Sequence, residues 1–320
     1  MQWWWLFRGS LTPTNAQPAG PAAQNRRSDV TFDPALSLTG LLVGVLVGLT
    51  GMGGGALLTP ALVLVFGVPP LAAVSTDLVT SLAMKPIGAV VHVRRGTVHL
   101  ALVGWLAFGA VPAGFLGAIL VGRLGRSETV QRHLTVLIGA MLVVSVLASL
   151  IRLLLDRRSG GASVDAPLVV RPAVTAGIGV VGGLAVGMTS VGAGSLIIGL
   201  LVLAYPRLTS ARLVGTDIVA AIPLVGAAAL GHLLFGEVQV TLTVALLLGA
   251  LPGVYLGARL SAQAPTGFVR PVVSAVLTAS AAALLQAPTT LVIAGAAIAG
   301  LFTVALAPTP TPRVRTGADA

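Results

Sequence analysis

The sequence predicts an all-α polytopic membrane protein built from two homologous halves. Of its 320 residues, 56% are hydrophobic and 9% are charged, which leaves too few polar side chains to cover a water-soluble protein of this length. Uncharged runs extend over 34–76, 172–206 and 271–312. Each run exceeds the roughly 20 residues that cross a hydrocarbon core. Helices are the predicted spans, because the alternating pattern of a membrane barrel is missing.

A glycine-rich segment near the start recurs past the middle of the chain. Residues 48–57 read GLTGMGGGAL, and residues 187–196 read GMTSVGAGSL. The register then persists at an offset of about 140, pairing Thr76-Asp77 with Thr216-Asp217, His92 with His232, Gly96 with Gly236, Gly109 with Gly249, Pro112 with Pro252 and Gly117 with Gly257. Paired helix breaks at matching positions of two halves are the best sequence pointer to a transport site.

Apolar runs separated by arginine-bearing connectors define the predicted organisation. A flexible N-terminal tail (1–33) precedes the first transmembrane repeat (34–155). A connecting loop (156–168) leads to the second repeat with a final helix (169–306), and a C-terminal tail (307–320) follows. Nine hydrophobic segments are expected, at 36–66, 71–93, 98–122, 133–155, 169–204, 210–235, 238–260, 270–286 and 290–306.

The first segment of each half is expected to be a broken or re-entrant helix, with breaks at 50–55 and 189–194. A continuous helix over 36–66 would reach roughly 46 Å, more than the core of about 30 Å requires. Clustered glycines inside a helix also cost about 1 kcal/mol each relative to alanine. The distribution of arginines favours re-entry, an external amino terminus and inverted halves.

The net charge of +10 comes from arginines in the connectors and not from one basic face. We therefore expect contact with lipid headgroups and no nucleic-acid partner. The chain has no cysteine, so disulfides and thiolate metal sites are excluded. Motifs of metalloproteases, rhomboid-like proteases and ATPases are missing, and we predict no catalytic residue, no metal site and no cofactor.

The two breaks are the predicted substrate site. Where a second half-helix opens at Gly53, Gly54 and Gly55, or at Gly192, Ala193 and Gly194, backbone N–H groups without intrahelical partners would attract a small anion. Gly51 belongs to the first break, and the hydroxyl groups that could add donors are those of Thr50, Thr189, Ser190 and Ser195. The alternative is that the glycines only permit close helix packing in lipid.

Five ionisable residues lie inside or near the ends of the predicted spans. Lys85 lies mid-segment without a counterpart, because Val225 occupies the matching position; it would contact either Asp217 or a transported anion. Asp77 and Asp217 would carry protons or balance charge, or would serve only as helix caps. His92 and His232 would shuttle protons, or would anchor the helix ends at the membrane interface.

The glycine-rich break, the downstream Pro60, the Thr76-Asp77 segment and the repeat in the second half, where Gly199 stands in place of Pro60, resemble the sulfite exporter TauE/SafE family of prokaryotic transporters over residues 36 to 306. The resemblance implies a secondary carrier that exports small sulfur-containing anions across the cytoplasmic membrane. The second motif departs from the pattern, with Ser190 for Gly51 and Ala193 for Gly54. An accessory membrane subunit or an intramembrane enzyme is the alternative, and oligomeric state is not indicated.

Overall fold

The computed structural model describes residues 34–51, 53–124, 127–158, 169–206, 208–260 and 266–305. The predicted tails, 1–33 and 307–320, and most of the predicted connecting loop lie outside these residues. The described chain is all-helical, with eleven helices: α1 (Pro34–Thr50), α2 (Gly55–Leu64), α3 (Pro70–Arg94), α4 (Leu100–Leu124), α5 (Glu128–Arg158), α6 (Pro172–Thr189), α7 (Leu196–Ala204), α8 (Ser210–Phe235), α9 (Val240–Leu260), α10 (Thr266–Leu284) and α11 (Thr289–Ala305).

Six of these helices, α3, α4, α5, α6, α8 and α9, are long and apolar enough to cross a membrane. Proline at the first position begins α3 and α6, as expected for a residue that lacks an N–H. Helix α5 differs from its predicted range of 133–155. It begins after Ser127, whose hydroxyl accepts from the Val130 N–H at 3.4 Å, and it continues to Arg158, into the predicted connecting loop.

Both predicted breaks are present in the structure. Helix α1 ends at Thr50 and α2 begins at Gly55, while α6 ends at Thr189 and α7 begins at Leu196. The matching residues Gly51 and Ser190 adopt left-handed conformations, with φ of 68° and 61°. Such a residue ends a helix, but a side chain there costs about 1–2 kcal/mol. The backbone of Ser190 is therefore in a strained conformation that other contacts have to compensate.

Two parallel helix pairs, α1 with α9 and α4 with α6, are packed through glycine. A Cβ added at Gly44 would lie 2.5 Å from the Ala250 carbonyl oxygen, and one added at Gly117 would lie 2.9 Å from that of Leu184. Such approach of two backbones is how helices associate in lipid, where no hydrophobic force drives them together. By the repeat register α9 matches α4 and α1 matches α6, so each pair joins the two halves.

Threonine side chains join the halves a second time. The Thr76 hydroxyl on α3 accepts from the Gln239 N–H at 3.3 Å, just before α9. The Thr216 hydroxyl on α8 accepts from the His99 N–H at 3.1 Å, just before α4. The two contacts match under the repeat register. Each half therefore supplies a hydrogen-bond acceptor at the start of a helix in the other half.

We expect Gly183→Ala to destabilise the protein and Gly177→Ala, in the same helix, to leave its stability unchanged or slightly higher. A Cβ at Gly183 would collide with the Ala110 carbonyl oxygen, whereas nothing lies within 4 Å of one at Gly177. Overpacking of this kind costs about 1–3 kcal/mol. The melting temperature of each purified variant in detergent measures the effect, and equal temperatures would contradict the packing role of Gly183.

Candidate functional site

The two breaks lie against each other inside the protein. A Cβ added at Gly55 would collide with the Ser190 carbonyl oxygen, and one added at Gly53 would lie 2.9 Å from the Ala193 carbonyl oxygen. Gly55 and Gly53 belong to the first break, and Ser190 and Ala193 belong to the second. Glycine is therefore required for the contact itself, which combines the two predicted sites into one.

Asp77 is buried on α3 and accepts several hydrogen bonds from hydroxyl groups. Thr59 on α2 donates to its Oδ2 at 2.6 Å, and Ser81 donates to its Oδ1 at 3.0 Å. The Ser190 side chain of the second break also hydrogen-bonds to this carboxylate. Hydrogen bonds to a charged acceptor are stronger than neutral ones. This network explains how an ionised carboxylate is retained in the core and why Ser190 replaces glycine.

Asp217 holds the matching position on α8 but lacks the matching donors. Ile198 and Ala221 occupy the positions that correspond to Thr59 and Ser81. The backbone N–H of Gly194 hydrogen-bonds to the Asp217 carboxylate. Its Oδ1 is nevertheless buried without a hydrogen-bond partner, and no other side-chain polar atom in the described part of the chain is in that condition. The two matching carboxylates therefore differ in the hydrogen bonds that they accept.

Lys85 lies over the first break. A Cβ added at Gly53 would lie 3.2 Å from its Nζ, and the ammonium group interacts electrostatically with Asp217 and with Asp77. Lys85, Gly51 and Gly53 are half-buried, whereas the second break from Ser190 to Ser195 is buried throughout. Accessible surface at the centre therefore lies on the side of the first break, next to the one cation that both carboxylates share.

The hydroxyl groups proposed as anion donors are engaged elsewhere. Thr50 donates to the Leu46 carbonyl at 2.7 Å, and Thr189 donates to the Ala185 carbonyl at 2.7 Å. Ser195 donates to the Ser145 hydroxyl on α5 at 2.8 Å. Each hydroxyl carries a single proton, so these groups stabilise helix ends in this conformation. Backbone N–H groups and Lys85 are the donors that remain for a solute.

The two predicted histidines have different surroundings. His232 is buried between the Ser75 hydroxyl, 2.7 Å from its Nδ1, and the Gly187 carbonyl, 2.8 Å from its Nε2. His92 is half-buried, with its Nδ1 3.0 Å from the Thr97 hydroxyl. The position matching Ser75 in the second half is Gly215. His232 therefore links α8 to α3 and α6, a structural role that the repeat alone did not indicate.

Sequence reasoning missed Thr59 and the hydrogen-bonding role of Ser81. The Ser81 signal was available, because it lies four residues after Asp77 and so shares its helix face. Thr59 could not be identified, because its contact depends on how α2 packs against α3. Among the described residues there is no group of three or more histidine, aspartate or glutamate side chains that could hold a metal ion.

The fold and the paired breaks define a multi-pass membrane protein of the transporter class. Residues 36–284 match the family described as sulfite exporter TauE/SafE, and the chain belongs to this family of membrane transporters. It is 38% identical over 232 residues to the "Probable membrane transporter protein YjnA" of Bacillus subtilis (strain 168), covering 71% of this chain and 89% of that protein.

A second relative, the "Probable membrane transporter protein YdhB" of the same organism, is 28% identical over 225 residues, which cover 70% of this chain and 88% of that protein. No solved structure matches the chain. The relatives and the family are described as transporters, which agrees with the prediction of a non-enzymatic membrane protein.

We expect Thr59→Val to destabilise the protein by about 1.5–3 kcal/mol, because it removes a hydrogen bond to a buried charged group. Thr80→Val is the matched control. Thr80 is equally buried on α3, but its hydroxyl donates only to the Thr76 carbonyl of its own helix, so its loss should cost about 1 kcal/mol or less. Thermal unfolding in detergent compares the two variants. An equal loss of stability would contradict a larger contribution from the hydrogen bond between Thr59 and Asp77.

Proposed function

We propose that this chain is a secondary transporter that exports small anions, with sulfite or an organosulfonate as substrate, in the cytoplasmic membrane of a prokaryote. The observation that carries the proposal is the position of Lys85, a half-buried residue whose ammonium group lies beside Gly53 in the first break. A lysine at that depth in a membrane protein marks a substrate or ion pathway. The sulfur chemistry of the substrate rests on the family description.

Helix directions support inverted halves. Residue numbers increase in the same direction along both helices of three contacting pairs, so the helices of each pair are parallel. These pairs are α1 with α9, α4 with α6, and α4 with α8. Helices α8 and α9 are both candidate spans separated by four residues, so they cross in opposite directions. Helix α1 is parallel to α9 and so antiparallel to α8. Since α8 is parallel to α4, and α4 is parallel to α6, α1 is also antiparallel to α4 and α6. Because α6 is the counterpart of α1, the two halves have opposite orientations.

The same reasoning supports re-entry at the first break. Contacts between α2 and α3 run in opposite senses, from Gly53 beside Lys85 to Thr59 beside Asp77. Helix α3 is antiparallel to α8, because Gly88 faces Ile218 and Gly226 faces Leu82. Helix α2 is therefore parallel to α8 and antiparallel to α1, so it returns to the side of the membrane from which α1 entered. Re-entry places the start of α2 at the centre of the protein, where a carrier binds its substrate.

The first break has the chemistry of a small-anion site. Gly54 is the N-cap of α2 and has no side chain to cap the helix, so the first N–H groups of that helix carry the positive end of its dipole. Lys85 adds a full positive charge next to them. No Cβ separates a solute from the main chain at Gly53. A tetrahedral or pyramidal oxyanion could accept from both kinds of donor.

Lys85→Met should abolish anion counterflow, because it removes the charge while keeping a long side chain that fits the same space. The measurement is exchange of radiolabelled sulfite or methanesulfonate into liposomes that contain the purified protein alone. Lys85→Arg, which keeps the charge, should retain part of the activity. Wild-type-like exchange by the methionine variant would show that Lys85 does not bind the anion.

Wild-type liposomes also test the alternatives. Exchange of an anion by this protein alone excludes the need for another subunit. Failure to exchange any small anion, by protein that is folded by its melting curve, would overturn the transport proposal. An accessory subunit or an intramembrane enzyme would then be the better interpretation.

Gly53→Ala should reduce counterflow strongly, because the added methyl group would lie 3.2 Å from Lys85 Nζ and 2.9 Å from the Ala193 carbonyl oxygen. Gly88→Ala on α3 is the control, since its Cβ would only touch the Ile218 side chain at 3.9 Å. The same liposome exchange, normalised to the amount of inserted protein, distinguishes them. Similar rates for the two variants, per amount of inserted protein, would contradict a role of Gly53 in the anion site.

A further inference from the structure

We propose that Asp217 binds one proton each time an anion binds beside Lys85, so that anion and proton cross the membrane together. The proposal rests on the function proposed above and names its coupling ion. It follows from three features of the centre: the count of charges, the unequal bonding of the two carboxylates and the single shared cation.

The charges at the centre do not favour an anion while both carboxylates are ionised. The Lys85 ammonium group interacts electrostatically with both carboxylates, which gives these three groups a net charge of −1, and a monovalent anion beside Lys85 would bring it to −2. In a low-dielectric interior such an excess charge is strongly unfavourable. Protonation of one carboxylate restores the charge to −1, so anion binding and proton binding support each other.

The bonding pattern selects Asp217 as the carboxylate that accepts the proton. Both oxygens of Asp77 accept hydrogen bonds from hydroxyl groups, an arrangement that favours the ionised form, whose two oxygens act only as acceptors. Asp217 has Oδ1 buried without a partner, and its side chain is 1% exposed. An unpaired buried carboxylate oxygen costs free energy, and a proton on that oxygen removes the charge that would otherwise need a partner.

The charged and titratable groups around Asp217 are few in the part of the chain that the structure describes. Lys85 on α3 and Arg152 on α5 act on its charge, and Asp77 shares Lys85 with it. Helices α6 and α7 contribute no ionisable side chain, and His99 reaches the adjacent Thr216 through its backbone N–H. Lys85 is therefore the only one of these cations that also lies at the first break, where the anion would bind.

The cycle is balanced in atoms and charge. In the empty site, Lys85 compensates the Asp217 carboxylate. When an anion binds, it takes Lys85 as its partner, and one proton from the water on that side forms the O–H bond at Asp217. Release on the other side returns both the anion and the proton. The site holds −1 before and after loading, so a monovalent anion moves without net charge.

An imposed membrane potential tests this balance. Liposomes carry the purified protein, valinomycin and a potassium gradient, and the probe is net uptake of radiolabelled methanesulfonate, or of sulfite at pH 6, where hydrogensulfite predominates. Wild-type uptake should not respond to the potential. Asp217→Asn should become several-fold potential-driven, because its empty site is neutral and its loaded site is not. Asp77→Asn should keep an uptake that is insensitive to the potential, even if slower.

Potential-driven uptake by wild type, or potential-insensitive uptake by Asp217→Asn, would overturn the inference while leaving anion transport itself intact. Absence of any wild-type counterflow would instead overturn the function on which it rests. Ala221→Ser is a second test that does not remove the carboxylate. It restores the donor found at Ser81 and should move the pH at which uptake falls to half to a lower value; an unmoved midpoint would also contradict the proposal.

Discussion

Backbone polar groups inside a membrane have to be satisfied by the protein itself, and the two helix breaks are the places where this constraint is most demanding. At each break the chain gives up intrahelical hydrogen bonds in surroundings where water does not replace them. Part of the demand is met locally, because the Gly51 N–H donates to the Val47 carbonyl and the Ser190 N–H donates to the Val186 carbonyl, and the breaks themselves pack together with Gly55 against Ser190.

Repetition of one unit does not make the halves equivalent. Asp77 is surrounded by hydroxyl donors and Asp217 is not. Lys85 is present in the first half alone, and accessible surface lies on the side of the first break. Duplication supplies two matching breaks, and divergence at a handful of positions gives the two copies different surroundings.

Much of the architecture was accessible from the sequence because glycine clusters and uncharged runs are strong signals in a membrane protein. The breaks at 50–55 and 189–194, the start and end of α8 and the isolation of Lys85 were all predicted from residues alone. The range of α5 was wrong at both ends, because hydrophobicity does not register the Ser127 cap or the helical continuation to Arg158. Thr59 was missed because the contact between α2 and α3 depends on tertiary packing, which the spacing of residues along the chain does not predict.

The glycine faces of α1 and α9 have a consequence for biosynthesis. The Ser37 hydroxyl donates to the Ala245 carbonyl at 2.8 Å, across 208 residues of chain. A ribosome that has just delivered α1 to the translocon must still make the rest of the first half and the second half as far as α9 before the partner of that helix exists. Until then, the glycine face of α1 lacks the helix against which it packs, so the final packing of the first half waits for the second.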